Sequence, residues 1–327
     1  MRLIVAGGAG FIGSHFVLSL LGGRYPALSD AEVTVVDAFT YAGRRANLAP
    51  AQGNPRLRVI TGDISDLDTM HDLMEGQDAV VNFAAESHVD RSIADSSDFV
   101  RTNVIGAQTL LEAARRRHVP VFVQVSTDEV YGSLEEGTAD ESHPLLPSSP
   151  YAASKAGGDL VALAYHRTHG MDVRITRCTN TFGPRQFPEK LIPVAITRLL
   201  EGRKVRLYGD GLHVRDWLHV DDHCAAVRLV LEKGRSGGVY NIAGGTPLRN
   251  RDLVELLIRQ LGAPSGLVEH APDRPAHDRR YSIDWTRIQE ELGFTPEREF
   301  SSSLAETVQW YRDNPGWWDA AEGEGAR

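Results

Sequence analysis

The chain has 327 residues, of which 42% are hydrophobic and 24% charged, a composition that excludes an intrinsically disordered protein and suggests one large α/β unit or two closely joined lobes. Its formal net charge of −9 argues against a general nucleic-acid or anionic-membrane binder. Cys178 and Cys224 are the only cysteines, which excludes a disulfide framework and a zinc site built from four thiolates.

No apolar run approaches the ~18 residues that a transmembrane helix needs. The first residues, Met1–Val5, lead directly into a glycine-rich turn, so we expect no signal peptide. The scarcity of cysteine suits a reducing compartment. We therefore expect a cytoplasmic protein without a membrane partner.

Short apolar runs alternate with longer amphipathic segments along the first half of the chain. The runs are rich in Val and Ile and nearly continuous in apolar character, which is typical of parallel strands buried on both faces. Strands are predicted at Leu3–Ala6, Val33–Asp37, Leu57–Thr61, Ala79–Phe83, Val121–Ser126 and Val173–Cys178. Helices are predicted at Phe11–Leu21, Asp66–Met74, Phe99–Arg117 and Tyr151–Thr168. This order predicts an α/β fold with a doubly wound parallel sheet.

After about residue 178 the pattern loosens, and several prolines interrupt it. Further elements are predicted as helices at Ile192–Glu201 and 221–232, and as strands at Val205–Leu207 and Val239–Ala243. We expect a first domain at 1–178, with segments near 213–243 returning to it. Residues 179–212 and 244–327 would form a smaller, partly discontinuous α/β lobe.

A glycine-rich turn lies between the first predicted strand and the first predicted helix. It reads Gly7-Gly8-Ala9-Gly10-Phe11-Ile12-Gly13. Glycines permit a tight turn and let the backbone approach a pyrophosphate, and the helix N-terminus offers free N–H groups to it. The turn predicts a Rossmann-type dinucleotide site that includes Gly7, Gly10, Phe11, Ile12 and Gly13. The alternative is a tight turn without a ligand.

Asp37 closes the second predicted strand. A carboxylate there can accept hydrogen bonds from ribose hydroxyls and would repel a 2′-phosphate, which favours NAD over NADP. Asp63 and Ile64 follow the third strand and would flank the adenine. Without a dinucleotide, these residues would be ordinary solvated strand ends.

Tyr151 and Lys155 lie four residues apart at the start of a predicted helix, with Ser149 as its cap and Pro150 in its first position. A phenol has a pKa of about 10 and is a poor base at neutral pH. A neighbouring ammonium group and a positively charged nicotinamide would lower that pKa. The pair therefore predicts a general base, and the alternative is a packed tyrosine beside a surface lysine.

Two adjacent carboxylates, Asp128 and Glu129, follow the fifth predicted strand, at the edge where α/β sheets bind their ligands. In an unbroken strand, neighbouring side chains point to opposite faces. Both can serve one ligand only if the strand ends or bends near Thr127, and Tyr131-Gly132 favour such a bend. The alternative is a solvated loop.

The glycine turn and Tyr151-x-x-x-Lys155 together resemble the extended short-chain dehydrogenase/reductase superfamily over nearly the whole chain, and many of its members act on nucleotide sugars. The stretch 126–132, with Thr-Asp-Glu at its centre, resembles the dTDP-glucose 4,6-dehydratases within it. Epimerases of the superfamily usually carry small polar residues in place of the acidic pair. Further segments that are similar to the dehydratases are 37–43, 82–92, 187–193, 215–217, 220–223 and 273–281.

The resemblance implies an NAD-dependent hydro-lyase that converts dTDP-glucose to dTDP-4-keto-6-deoxyglucose. Tyr151, with Lys155, would remove the proton of the C4 hydroxyl, and Thr127 would bind the C4 oxygen. Glu129 would take the C5 proton while Asp128 protonates the departing C6 hydroxyl. The hydride that leaves C4 would return at C6, so the reaction is redox-neutral.

The resemblance also implies binding residues. Ala84 is expected beside the cofactor. The expected substrate contacts are Glu86, Asn180, Glu189, Lys190, Arg215, Asn250 and His277. Among them, Asn180, Arg215 and His277 match positions near the diphosphate, and a guanidinium group can bind phosphate oxygens bidentately. For any single one of these residues, the alternative is a surface polar side chain.

Two positions depart from the family pattern. Thr181 stands where the family commonly has a second Asn, and Ala276 stands where it often has Gly. Neither touches the proposed chemistry. The resemblance further implies a homodimer in which the helices at Phe99–Arg117 and Tyr151–Thr168 form a four-helix bundle.

Other readings stay open. His219 and His223, with Asp221 and Asp222 between them, have the spacing of a metal site only if one helix covers both histidines. We expect that helix to start near Asp221, and we predict no metal. The rival functions are a 4-epimerase, a UDP-glucuronate decarboxylase, a GDP-mannose dehydratase, or a non-catalytic NAD-binding regulator. Asp128 beside Glu129 favours loss of water from C6.

Overall fold

The computed structural model describes residues 1–318, so the last residues of the predicted second lobe, 319–327, lie outside the described part. Its strands are β1 Arg2–Ala6, β2 Glu32–Asp37, β3 Leu57–Thr61, β4 Ala79–Asn82, β5 Val121–Thr127, β6 Asp172–Cys178, β7 Asn180–Phe182, β8 Val205–Tyr208, β9 Val214–His219, β10 Val239–Ile242, β11 Pro247–Arg249 and β12 Val268–Ala271.

Its α-helices are α1 Phe11–Leu21, α2 Leu67–Leu73, α3 Val89–Ala94, α4 Ser97–Val100, α5 Ala107–Arg116, α6 Pro150–His169, α7 Leu191–Leu200, α8 Val220–Lys233, α9 Asn250–Leu261, α10 Thr286–Leu292 and α11 Phe300–Asp313. Among these described residues, no helix combines the length and the apolar character needed to cross a membrane.

One seven-stranded sheet forms the centre of the fold, with six strands from residues 2–178 and β10 from further along the chain. Its strand order is β10-β6-β5-β4-β1-β2-β3, and all the pairings in it are parallel. The order reverses at β1, which pairs with β2 on one side and β4 on the other. This confirms the predicted doubly wound sheet and opens a crevice beyond the carboxyl ends of β1 and β4.

Both faces of the sheet are buried, which explains why its strands are so continuously apolar. Successive residues of β1 enter different cores: Leu3 and Val5 pack with α1 and α8, whereas Ile4 and Ala6 pack with α2 and α5. Each of these four side chains is completely buried. Burying a Leu, Val or Ile side chain stabilises the fold by about 1.5–3 kcal/mol.

The helix predicted at Phe99–Arg117 consists of three pieces. Helix α4 comes first, a π-helical stretch at Arg101–Gly106 follows, and α5 completes it. The π-helical stretch carries Asn103, which is buried and binds both backbone groups of Glu86 at 3.0 Å. Sequence periodicity does not reveal such a wide turn, because it alters the spacing by a single residue.

A second lobe contains a three-stranded sheet, β11-β9-β7, a two-stranded sheet, β12-β8, and helices α7, α9 and α11. The expectation that residues from 213 onward return to the first domain is therefore wrong for β9. The reason is a contact between distant segments, because the Asp216 carboxylate of β9 accepts hydrogen bonds from the backbone N–H groups of residues 244–246. Helix α8 and strand β10 do return, and β10 pairs with β6.

Candidate active site

Two connected cavities lie along the carboxyl edge of the large sheet. One has a volume of about 580 Å³ and extends to the second lobe, and the other has a volume of about 290 Å³. Gly7, Gly10 and Phe83 line both of them, so the two cavities form one continuous cleft. This is where doubly wound folds bind their ligands.

The glycine turn shapes the middle of the cleft. Gly7 has φ +71°, and a Cβ on it would lie 2.5 Å from the backbone nitrogen of Ala84. A Cβ on Gly13 would lie 2.9 Å from the Gly8 Cα atom, and closer still to the Gly7 carbonyl oxygen. Helix α1 then begins without a side-chain cap, which leaves its first N–H groups for a ligand. The turn is therefore a cradle with room for a pyrophosphate.

The smaller cavity contains the residues predicted to bind the adenosine part of the cofactor. Asp37, Asp63, Ile64 and Ala84 all line it. The Asp37 carboxylate is buried and accepts hydrogen bonds from the backbone N–H groups of Ala9 and Phe39 at 2.9 Å. Burial raises the pKa of Asp37, while these two hydrogen bonds oppose the rise. Each carboxylate oxygen of Asp37 has a further lone pair that can accept a hydrogen bond from a ribose hydroxyl.

The larger cavity contains the acidic pair. Strand β5 ends at Thr127, and a single 3₁₀ turn follows at Asp128–Tyr131. The Thr127 hydroxyl caps that turn, because it accepts the Glu129 backbone N–H at 3.3 Å. The turn removes the strand alternation, so that Thr127, Asp128 and Glu129 all line the same cavity. The predicted bend is thus present.

The two carboxyl groups have different surroundings. Asp128 is 2% exposed, and its Oδ2 atom has no hydrogen-bond partner among the described residues. Burial, aided by the charge of Glu129, raises the pKa of Asp128 well above its usual value. Glu129 instead has the Tyr281 hydroxyl at 3.3 Å from its Oε2 atom. Asp128 is therefore suited to hold a proton and Glu129 to accept one.

Tyr151 and Lys155 lie on the first turns of α6, which starts at Pro150 as predicted. The Ser149 hydroxyl caps the helix by accepting the Ala152 backbone N–H at 3.1 Å. Both functional side chains line the larger cavity and are buried. The Lys155 ammonium group donates to the Val125 carbonyl oxygen of β5 at 2.7 Å. Helix α6 thus joins the base to the strand that carries the acidic pair.

The groups of the chain that surround Tyr151 raise its pKa, whereas the predicted lowering requires a nicotinamide as well as Lys155. Burial and the negative charge of Glu129 raise the pKa of Tyr151 well above its usual value, and a hydrogen bond with Thr127 opposes the rise. Burial also lowers the pKa of Lys155. The ammonium group is directed at the β5 backbone, so a further positive charge beside Tyr151 is needed to form the phenolate.

The residues predicted to bind the substrate lie mostly in the larger cavity. Six of the seven line it, namely Asn180, Glu189, Lys190, Arg215, Asn250 and His277. Glu86 lines the smaller cavity instead, and burial together with Glu189 raises its pKa to about 7. The Lys190 ammonium group binds the Ser87 carbonyl oxygen, which joins α7 to the segment after β4.

The second lobe lines one part of the larger cavity, its cationic end, with arginines. Four guanidinium groups line it, those of Arg198, Arg206, Arg215 and Arg274. The buried Nε atom of Arg274 and the buried Oδ1 atoms of Asn180 and Asn250 have no hydrogen-bond partners among the described residues. Buried polar atoms in proteins are normally paired, so these atoms indicate a polar ligand that offers acceptors to the arginines and donors to the amide oxygens.

Sequence reasoning did not assign Tyr281 or Arg274 to the site, although both belong to the segment 273–281 that it singled out. Tyr281 contacts Glu129, donates to the Asp278 carboxylate at 2.8 Å, and lies under the Arg215 guanidinium group at 4.2 Å. The signal that could have found them is their position in the same segment as His277.

The two departures from the family pattern have different consequences. The Thr181 hydroxyl lies 3.0 Å from His223 Nδ1, and both side chains are turned toward the junction of β7 and α8. Ala276 has φ +51°, a left-handed conformation that favours glycine.

The His219–His223 pair does not have the geometry of a helical metal site. His219 is the N-cap of α8, because its ring accepts a hydrogen bond from the Asp221 backbone N–H. It therefore lies outside the helix, and helical spacing does not apply to the pair.

The chain is similar to characterised dehydratases along almost its whole length. Residues 4–307 match the family model described as GDP-mannose 4,6 dehydratase. The chain is 58% identical to the dTDP-glucose 4,6-dehydratase of Streptomyces griseus, over 97% of this chain and 96% of the relative. It is 55% identical to the enzyme of that name from Streptomyces niveus, over 98% of this chain and 95% of the relative.

A solved structure agrees with these relatives. It is the dTDP-glucose 4,6-dehydratase of Streptomyces venezuelae with NAD and TYD bound, which is 57% identical and superposes with a TM-score of 0.97. The alignment covers 98% of this chain and all of the other. With the acidic pair, the Tyr–Lys helix and the glycine cradle in one cleft, this chain belongs to the dTDP-glucose 4,6-dehydratases of the extended short-chain dehydrogenase/reductase superfamily.

Proposed function

We propose that this chain is an NAD-dependent hydro-lyase that converts dTDP-glucose to dTDP-4-keto-6-deoxyglucose. The observation that carries the proposal is the 3₁₀ turn that directs Asp128 and Glu129 into the cavity of Tyr151. A protonated acid and an accepting carboxylate beside one base are what a C5–C6 elimination requires. The names of the similar dehydratases support the substrate.

The residues of the cleft fit NAD. The cradle of Gly7 and Gly13, which a Cβ would fill, and the uncapped start of α1 would bind the pyrophosphate. Asp37 would accept the adenosine ribose hydroxyls, and its charge would repel the 2′-phosphate of NADP. Bound NAD supplies a hydride acceptor for C4 of the sugar and a donor for C6, so no external oxidant is required.

Oxidation at C4 requires a base at the C4 hydroxyl. Tyr151 would remove that proton, and Thr127, which is hydrogen-bonded to Tyr151, would bind the C4 oxygen. Because burial raises the pKa of Tyr151, the phenolate depends on the positive charges of Lys155 and the nicotinamide ring.

Elimination of water follows from the acidity that the C4 ketone gives to the C5 proton. Glu129 would remove that proton, and Asp128 would protonate the C6 hydroxyl as it leaves. Burial favours the protonated form of Asp128, and the Tyr281 hydroxyl lies 3.3 Å from the Oε2 atom of Glu129. The C5 proton would return from Glu129 when C6 receives its hydride.

The cationic end of the larger cavity would bind the diphosphate. Arg215 and Arg274 offer guanidinium donors to phosphate oxygens, and the unpaired Oδ1 atoms of Asn180 and Asn250 can accept hydrogen bonds from hydroxyl or N–H groups of the ligand. A phosphate anion suits the two guanidinium groups better than a neutral sugar does. The sugar would then lie between this end and the nicotinamide, beside the acidic pair.

Product analysis tests the proposal. Purified protein with NAD is incubated with dTDP-glucose, UDP-glucose or GDP-mannose, and the near-ultraviolet absorbance that 4-keto-6-deoxy sugars develop in alkali is measured. We expect product from dTDP-glucose at the highest rate, and none with Tyr151→Phe. If NAD-loaded protein forms no such product from dTDP-glucose, the proposed function is wrong, and an epimerised sugar would indicate the 4-epimerase.

We also propose a homodimer and a cytoplasmic location. Three large apolar side chains remain exposed on the helices expected to pair: Val100 by 45%, Ile105 by 50% and Leu160 by 57%. A second copy of these helices would cover them. Cys178 and Cys224 are both free, which suits a reducing compartment. A monomeric mass at micromolar concentration would contradict the dimer.

A further inference from the structure

A compact cluster consists of His213, Asp273 and His277, and His277 lines the larger cavity. The Asp273 Oδ1 atom is 2.6 Å from His277 Nδ1, and the Asp273 Oδ2 atom is 3.4 Å from His213 Nε2. The two imidazole rings stack, with centroids 3.6 Å apart and planes inclined by 16°. The His277 side chain is 5% exposed, whereas that of Asp273 is 43% exposed.

The cluster contains the residue types of a metal site, but its geometry does not suit one. The ligand-type atoms of His213, Asp273 and His277 lie within 4.8 Å of one another. An imidazole nitrogen binds a metal ion in the plane of its ring. Two nearly parallel rings that stack face to face cannot both direct such a lone pair at one ion. The cluster therefore needs another explanation.

The hydrogen bond to Asp273 decides which nitrogen of His277 carries a proton. An ionised carboxylate can only accept, so Nδ1 of His277 must be the protonated nitrogen. In the neutral ring, Nε2 then carries a lone pair, which would repel a phosphate oxygen. Only the imidazolium form can donate to Asp273 through Nδ1 and to a phosphate through Nε2 at the same time.

Charged and titratable groups from three elements surround this ring. Asp273 and Arg274 lie on its own loop, His213 and Arg215 lie just before and within β9, and Tyr208 at the end of β8 packs edge-on against it. Asp90 at the start of α3 binds Tyr208 and Arg274. Burial and Arg274 lower the pKa of His277 to about 4, despite the opposing effect of Asp273. Without ligand, the ring is neutral near pH 7.

We propose that Asp273 is a positioning residue that holds the Nδ1 proton of His277, so that the nucleotide-sugar diphosphate binds together with one additional proton on Nε2. The proposal rests on the function proposed above, because it takes the diphosphate as the ligand of His277. The proton comes from solvent and is released with the nucleotide. No bond other than this N–H bond forms or breaks.

The direction of the pH dependence follows from linkage. A diphosphate placed beside the ring favours the imidazolium form and therefore raises the pKa of His277 in the complex. Between the free and the bound pKa values, binding takes up as much as one proton, and the association constant rises up to about tenfold for each pH unit of acidification. Above the bound value, uptake falls to zero and the affinity becomes independent of pH.

Calorimetry on the NAD-loaded protein tests the proposal. The ligand is the phenyl ester of dTDP, because it has no sugar to react and its phosphates do not titrate near neutrality. Binding is measured in two buffers of different ionisation enthalpy, at several pH values between about 5.5 and 8. For the unaltered protein we expect proton uptake that increases as the pH falls.

Three variants assign the proton. Asp273→Asn can still accept a hydrogen bond from Nδ1 but removes the charge that favours the imidazolium, so uptake at a given pH should be smaller and affinity at acidic pH should fall about tenfold. His277→Gln cannot titrate and should abolish uptake. Asp210→Asn is the matched control, because Asp210 is exposed nearby and pairs with Arg279 rather than with His277. It should keep both uptake and affinity.

Each possible result of these experiments either supports or refutes the proposed proton uptake. Binding without proton uptake, by a protein that dehydrates dTDP-glucose, would overturn this inference and leave the proposed function intact. Full uptake in Asp273→Asn or His277→Gln would equally overturn it, since the proton would then be bound elsewhere. Failure of the unaltered protein both to bind the ester and to dehydrate dTDP-glucose would refute the proposed function as well.

Discussion

The substitution Asp128→Asn tests the elimination chemistry most directly, because the protonation state of Asp128 follows from its surroundings. The side chain is 2% exposed, one of its oxygens has no partner among the described residues, and burial raises its pKa well above the usual value. Such a carboxyl group holds its proton to a higher pH than an exposed aspartic acid does, and it is suited to donate that proton to a leaving hydroxyl. The amide has nearly the same shape but no proton to transfer.

The expected magnitudes differ for catalysis and for folding. A positioned general acid contributes about 10²–10⁴-fold, so kcat should fall by that factor, which corresponds to about 3–5 kcal/mol. The stability of the folded state, in contrast, should be higher in Asp128→Asn than in the parent as the pH rises. The folded-state pKa of Asp128 lies above its unfolded value, so this carboxyl group contributes stability at low pH that is lost as the pH rises toward the folded value. Asparagine does not titrate and avoids this loss.

Three measurements examine these expectations. Steady-state product formation gives kcat, and thermal denaturation at several pH values gives the relative stability of variant and parent. Single-turnover absorbance of reduced nicotinamide should persist in Asp128→Asn, because C4 is oxidised but water is not expelled. In the parent, activity should decline as the pH rises through the raised pKa of Asp128. Asp30→Asn, at an exposed position, is the control.

Two outcomes would show the reasoning to be wrong. If Asp128→Asn retained the parent kcat, Asp128 would not be the acid. If the variant lost stability relative to the parent as the pH rose, Asp128 would be ionised in the folded protein, and the argument from burial would fail.

Three further predictions concern the cofactor cradle and the loop that carries His277. Gly13→Ala should weaken NAD binding at least about tenfold and destabilise the fold by about 1–3 kcal/mol, because its Cβ would lie 2.9 Å from the Gly8 Cα atom. Calorimetry measures the affinity for NAD, and thermal denaturation measures the stability. Gly266→Ala is the control and should change neither quantity, because its Cβ would have nothing within 4 Å. Ala276→Gly should relieve the left-handed φ of +51° and raise stability by about 0.5–1 kcal/mol, and an unchanged or lower Tm would contradict this. Asp37→Asn should narrow the preference for NAD over NADP, measured as the ratio of the two affinities, and an unchanged ratio would remove Asp37 from cofactor selection.

The fold and the main motifs were accessible from the sequence because they depend on local patterns. All six strands predicted in the first half are present with ends shifted by one residue at most, and helix α1 has the predicted bounds. Burial on both faces forces such strands to be apolar throughout, so the pattern is unambiguous. The Gly7 turn and the Ser149 cap are likewise set by backbone chemistry over a few residues.

Contacts between distant segments decided the rest. Whether Asp128 and Glu129 serve one cavity depended on a 3₁₀ turn that the sequence only suggested. Strand β9 lies outside the large sheet because the Asp216 carboxylate accepts hydrogen bonds from backbone N–H groups about thirty residues further along the chain. The raised pKa of Tyr151 reflects burial, and burial is a property of the whole packed cleft.

The amino-acid sequence by itself determined the doubly wound sheet, the cradle for a dinucleotide and the residue types of an acid–base site, because each arises from chemistry within one strand, turn or helix. Only the tertiary structure decided the different surroundings of the two carboxyl groups, the pairing of Asp273 with His277, and the contact of Tyr281 with Glu129. Those features depend on distances between residues far apart in the chain, which spacing along it does not encode.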